Sequence, residues 1–384
     1  MRLLAYPATI GCGCLLGAGA PQVNAAEWSM TPTYSSSVDY DSNRTLSSNA
    51  RGSQSGVLTA DLRFTRALEN TDISIEPRYS FRRYSDSKLG NGDDRSLYTA
   101  FNRFGERTSL NLTASLWDQS TLITELLETG IVAGNTHRRT VQAGSNWTWT
   151  QTEYRRLIAQ FSYTDVSYYG QGSSVLPGYR YPSGSLGERF NFSERGSFTV
   201  SAYGSAISSD TRGNSSHEYG LQAQVIYSFS ERTRLDASLG ESLRRLAGVS
   251  SHGTDATLSI THDQTLGKLE LNYTRSLVPY GVGFLVQRQQ LNASATRQLT
   301  PYLDGNISLF HIQSSQAAVQ LGADRSRYDG AAAVLNWHIT ETWNVGIQLA
   351  ALRTQAPGLS SQTLTEWRSA TTLIWSPRPI ARSR

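Results

Sequence analysis

Ile73-Ser74-Ile75-Glu76-Pro77-Arg78-Tyr79-Ser80-Phe81-Arg82 alternates apolar and polar side chains at every step. Strict alternation over such a window fits a strand with one wet face and fits no helical period. The same reading extends on both sides. Leu58, Ala60, Leu62 and Phe64 alternate with Thr59, Asp61, Arg63 and Thr65. The pattern returns in Leu110–Leu116, Tyr219–Phe229, Leu269–Tyr273 and Trp343–Leu349, and a last segment ends at Leu373, Ile374 and Trp375.

The polar face decides between a soluble sandwich and a membrane barrel. It carries Arg63, Arg78, Arg82, Arg156, Arg189, Arg234 and Arg288, with Asp61, Glu76, Asp236, Glu270 and Asp304 among them. Such a face cannot pack as a second core layer, but it can line a water-filled lumen while the apolar face meets lipid. The chain is therefore expected to be all-β, a single antiparallel transmembrane β-barrel of about 18 strands. Sixteen is the main alternative, because the runs 95–104 and 179–192 alternate least cleanly. An even number of strands puts both ends of the barrel on the periplasmic side.

The connections divide into two kinds. Phe104-Gly105-Glu106-Arg107-Thr108, Phe192-Ser193-Glu194-Arg195-Gly196 and Phe229-Ser230-Glu231-Arg232-Thr233 repeat one short-turn pattern. Asp41–Ser55, Asp86–Asp94, Leu122–Thr136 and Gly170–Leu186 are longer and rich in small polar residues. Short turns facing the periplasm and long loops facing outward is the asymmetry of outer-membrane barrels. Phe104, Trp149, Phe192, Phe229, Tyr302, Trp337, Trp343 and Trp375 fall near the short turns. They are expected to form an aromatic girdle at the periplasmic interface, where rings with one wet edge settle.

Residues 1–26 read as a signal peptide: Arg2, then a small and apolar stretch without acids, then Val23-Asn24-Ala25 at the cleavage point. A lipid-modified Cys12 or Cys14 is the rival, but Thr9-Ile10-Gly11 before Cys12 lacks the usual leucine. The barrel then spans 27–376, and 377–384 is a short basic tail. With Cys12 and Cys14 in the presequence, the mature chain has neither disulfides nor thiolate chemistry. The formal net charge of +4 falls by one with Arg2, too small a balance for a nucleic-acid partner.

No constellation of catalytic residues stands out, so no enzyme, cofactor or metal site is expected. His137, His217, His252, His262, His311 and His338 lack metal-ligand spacing. A Ser308–His338–Asn336 grouping on the polar face, or His137 beside a long loop, is the most a lipid-hydrolysing reading could use. The charged lumen itself is more informative. Opposed charges satisfy one another across it, and its arginine forks suit anionic groups while amides and rings such as Tyr203 and Trp117 suit sugars.

Trp28–Tyr40, followed by Val38-Asp39-Tyr40-Asp41-Ser42-Asn43-Arg44-Thr45-Leu46, resembles the outer-membrane β-barrel porins found with exopolysaccharide and exosortase loci of Gram-negative bacteria. Arg44-Thr45 departs from the proline-arginine pair commoner there. The resemblance implies a passive exit for a polysaccharide delivered by periplasmic export proteins, with outer-membrane lipid around the barrel. The alternatives are a diffusion or uptake porin for small hydrophilic solutes, and a lipid-acting, structural or adhesive barrel. An uptake porin should fold a loop inward, with Leu122–Thr136 and Gly170–Leu186 as the candidates.

Overall fold

A computed structural model describes residues 28–382, apart from 126–135, 171–175, 211–214, 247–248, 281–283, 317–324 and 356–362. The first strands are β1 (Trp28–Asp41), β2 (Ser53–Leu68), β3 (Thr71–Tyr84), β4 (Gly92–Phe104), β5 (Thr108–Ser120) and β6 (Thr136–Thr150). They continue as β7 (Arg155–Gly170), β8 (Tyr179–Ser193), β9 (Gly196–Ser209), β10 (Ser215–Ser228), β11 (Thr233–Leu246) and β12 (Val249–Gln264). The circuit is completed by β13 (Gly267–Tyr280), β14 (Phe284–Thr300), β15 (Leu303–Gln316), β16 (Arg325–His338), β17 (Trp343–Gln355) and β18 (Leu364–Trp375). One short helix, α1 (Thr121–Thr124), follows β5, and a short strand, β19 (Ile380–Arg382), follows β18.

Each strand pairs antiparallel with its neighbours in chain order, and β1 pairs with β18 from Tyr34↔Trp375 to Asp41↔Arg368. The result is a closed antiparallel barrel of 18 strands, with the first strand sealed against the last. The weakly patterned runs are full strands, so sixteen is excluded: β4 pairs with both β3 and β5, and β8 with both β7 and β9. Residues 179–186, where the expected 179–192 strand and the expected loop reaching Leu186 overlap, belong to β8, with Tyr179 and Arg180 pairing with Val166 and Asp165. Pro377 and Pro379 interrupt the ladder after β18. The chain then resumes as β19 against Trp28–Met30, so part of the expected tail extends the sheet.

Registers carry the two faces around the barrel. Outward are Leu58, Leu112, Leu116, Val141, Leu221, Leu239, Leu271, Leu309 and Leu349, all exposed to the surroundings. The buried residues instead lie inside, in the half carrying the long connections, with Val166, Tyr179, Tyr181 and Ile207 on the lumen face of β7–β9. A barrel with an apolar outside and a charged inside is stable only in a bilayer, and it takes an outer-membrane location.

At the short-turn end, Trp149, Phe192, Trp337, Trp343 and Trp375 point outward, and Phe229 and Tyr302 occupy turns. Trp375 stacks between Tyr34 and Trp343, at ring separations of 5.4 and 5.9 Å, across the closing seam. Phe104 differs: two residues beyond Asn102, which accepts from Asn111, it alternates onto the lumen side at the rim. Nor is the girdle one-sided. Tyr40, Tyr79, Tyr169, Tyr219 and Trp367 are exposed and outward at the other end. They lie at the end of the barrel away from the short turns, where alternation alone does not distinguish them from other outward residues.

Candidate functional site

Alternation along β2, β3, β7, β8, β11, β13, β14 and β15 puts the charged residues of the polar face on the luminal side. Some of them meet. Arg63 bonds Glu76 at 2.8 Å, and Asp61 lies opposite Arg78. Arg82 reaches Asp39 at 3.7 Å. Arg156 and Arg189 are direct cross-strand neighbours, and Arg189 Nε donates to Thr199 at 3.2 Å. Arg234 stands two residues from Asp236, which accepts from Gln224 at 2.7 Å. Glu270 is bonded by Lys268. Asp304 is bonded by His338, whose other ring nitrogen meets Asn344 at 2.6 Å, so this histidine is held by a carboxylate and an amide.

Arg288 stands apart from these, because the wall beside it is not a simple cylinder. β12 and β13 pair from Gln264↔Gly267 only as far as Ala256↔Arg275. Beyond that point β12 stays with β11 up to Leu246↔Val249, while β13 stays with β14 up to Tyr280↔Phe284. Because β14 stays paired with β15 up to Val286↔Gln316, the wall itself curls inward here and carries the upper β13–β14 hairpin inside. Leu277 and Leu285, on the hairpin's outward-alternating face, pack against the lumen-facing Val166, Tyr179, Tyr181 and Ile207. Gln287 on the same face accepts from Arg244 of the wall at 2.6 Å.

That contact rests on a buried network. Arg244 donates from Nε to Glu218 at 3.0 Å and from Nη2 to Asp255 at 2.7 Å, and Ser242 donates to Glu218 at 2.9 Å. The guanidinium lies flat over Gly253, where a Cβ would stand 1.9 Å from Arg244 Cζ. Only glycine lets the cation cross to Gln287. Arg244, Glu218 and Asp255 were not singled out in the sequence, although Arg244 shares the luminal alternation of Arg234 and Asp236.

Two further segments turn inward. After β1, Asp41 accepts from the Asn43 backbone at 2.9 Å, and Arg44 is held by Asp39 and Asp41. Leu46 then adopts a left-handed φ of 45° and buries against Leu352 and Leu364. This backbone costs a non-glycine residue about 1–3 kcal/mol, which the burial offsets. At the start of the 122–136 connection, Ser120 caps α1, and the buried Glu125 accepts from Arg138 at 3.2 Å and Tyr168 at 2.9 Å. Most of that connection, and 171–175 of the other expected constriction, lie outside the described residues. The inner layer that is described comes from β13–β14, which alternation alone assigned to the wall.

Below the hairpin the luminal wall forms a hollow of about 530 Å³ lined by Tyr98, Asn111, Thr113, Asn146, Gln160, Ser162, Tyr181, Ser183, Tyr203 and Glu218. His137, on the outside, stacks on Tyr169 at 5.4 Å. Ser120, which it opposes across the ladder, has its hydroxyl engaged at the helix cap. Among the described residues no group of His, Asp and Glu could hold a metal ion.

No protein-family model matches the chain, and no curated protein matches it. Solved structures do. OccAB4 of Acinetobacter baumannii superposes with a TM-score of 0.50 at 10% identity, covering 93% of this chain and 99% of that one. OccK7 (OpdD) of Pseudomonas aeruginosa gives 0.50 at 11%, covering 92% and 100%. OccK2 (OpdF) of the same organism, in complex with glucuronate, gives 0.50 at 12%, covering 92% and 99%. At these identities the likeness is one of fold, that of the Occ/Opd outer-membrane porins.

Proposed function

We propose that the protein is an outer-membrane channel admitting small hydrophilic solutes by diffusion or uptake. The observation that carries this reading is the β13–β14 hairpin lying as a second layer inside the lumen, fixed by Leu277, Leu285 and Gln287. A barrel of 18 strands encloses an aqueous channel unless something fills it, and an inner layer narrows that channel to small solutes. The wet charged wall supports passage of hydrated molecules, and the OccK2 complex with glucuronate is an example of a barrel of this fold that binds one. We assign no reaction to the chain.

The resemblance of Val38–Leu46 to barrels of polysaccharide loci favours a second reading, a polymer exit. The same stretch supports it poorly in three dimensions, because Arg44 and Leu46 tuck against the lumen wall and narrow it further. Liposome swelling separates the two. Proteoliposomes of the mature protein should swell in isosmotic glucose or arabinose and stay intact in isosmotic dextran. Rapid dextran entry, or no swelling in any solute, would contradict the proposal.

A further inference from the structure

The hollow under the hairpin differs from the rest of the lumen in its chemistry. Its lining offers amides, hydroxyls and tyrosine rings, and no arginine, lysine or histidine. Its one carboxylate, Glu218, is engaged by Arg244 and Ser242. Among the described residues the side chain of Asn146 has no hydrogen-bond partner, and the amide of Asn111 spends one N–H on Asn102. The ring of Tyr98, on the same lining, adds an apolar face. Amides present paired donors and acceptors and rings present flat apolar surface, a combination that matches vicinal hydroxyls and the C–H face of a polyol. An anion would find no cation in the hollow and would meet the Glu218 carboxylate.

Resting on the channel reading above, we propose that this hollow is a binding station for a neutral polyhydroxylated solute of mono- to disaccharide size. About 530 Å³ is within the ordinary range for such ligands. The hairpin lies over the hollow, since the lining residue Tyr181 shares a buried cluster with Leu277 and Leu285, and the lining residue Glu218 holds Arg244, the donor to Gln287. The test uses sucrose and glucuronate on the mature protein, by current interruption in planar bilayers and by equilibrium dialysis in detergent. Sucrose should be retained and should interrupt the current, with glucuronate at least tenfold weaker. Asn146→Ala combined with Gln160→Ala should shorten sucrose residence at least tenfold. A conducting barrel that retains no sucrose, or retains it equally in the double variant, overturns the station. A barrel that retains sucrose and conducts nothing overturns the channel reading instead.

A different observation carries a second proposal. The ladder between β12 and β13 stops in register, not at a bulge, and its continuation would set Thr254 opposite Leu277 and Asp255 opposite Ser276. Leu277 and Leu285 share the outward parity with Arg275, Gln287 and Gln289, so in the wall this face would suit headgroups and water rather than acyl chains. We infer that the hairpin exchanges between the inner layer and the wall by unzipping and rezipping this ladder, with Arg244–Gln287 as the latch. Opposed residues of an antiparallel pair lie within disulfide reach. The mature chain has no cysteine, so Thr254→Cys with Leu277→Cys reports the wall position alone. Oxidation should crosslink the pair and raise conductance several-fold, reversibly with reductant, and adding Gln287→Ala should speed the crosslink. A pair that stays reduced in a folded barrel, or crosslinks without changing conductance, overturns the exchange.

Discussion

Arg63 and Arg244 both point into the lumen, and their surroundings give them different work. The Arg63 side chain is 54% exposed and pairs with Glu76 in water, where an ion pair contributes about 1 kcal/mol or less. Arg244 is 4% exposed between two carboxylates, so removing it strands buried charge, at a cost of about 3–5 kcal/mol. Arg63→Ala should leave the urea midpoint of the folded barrel nearly unchanged, and Arg244→Ala should lower it sharply, as read by heat-modifiable mobility on gels. Equal effects would refute the assignment. Alternation makes the inward direction of both residues readable from sequence. The difference between them was not readable, because Arg244 meets partners 26, 11 and 43 residues away.

At the scale of one strand, β13 contains both the legible and the illegible part of the fold. From Gly267 to Arg275 it is an ordinary wall strand, with Leu271 outward and Asn272 inward opposite Asn292. Leu271→Arg should destabilise the barrel by roughly 2–4 kcal/mol, the cost of an arginine in mid-bilayer, while Asn272→Arg should be tolerated in the lumen. Denaturant titration in lipid checks the pair, and an equal penalty would mean the faces are exchanged. Beyond Arg275 strict alternation gives way to Leu277-Val278-Pro279-Tyr280, apolar on both faces, and the strand changes layer. A period of two records which side chains share a face, and it is silent on whether that face meets lipid or the inner surface of a neighbouring wall. Leu277 shares the parity of the lipid-facing Leu271 for that reason, and it lies inside the barrel in one buried cluster with Ile207.

For the whole molecule, the strand count and closure followed from patterns repeated around the ring, so weak runs such as β4 and β8 were supported by their neighbours. The seam is reinforced where Trp375 stacks on Tyr34 and Trp343, each such pair contributing about 0.5–1.5 kcal/mol beyond its burial. What the repeats could not convey is the width of the path, which depends on segments that turn inward. Narrowed in this way, a barrel of 18 strands should conduct as a narrow one. Polymer exclusion measures the width directly, by adding polyethylene glycols of increasing size to a single reconstituted channel. The expected result is an ion-conducting pore whose size cut-off admits only polymers of about disaccharide dimensions, far below an open cylinder of this circumference. Entry of long polymers into the unmodified channel would contradict it.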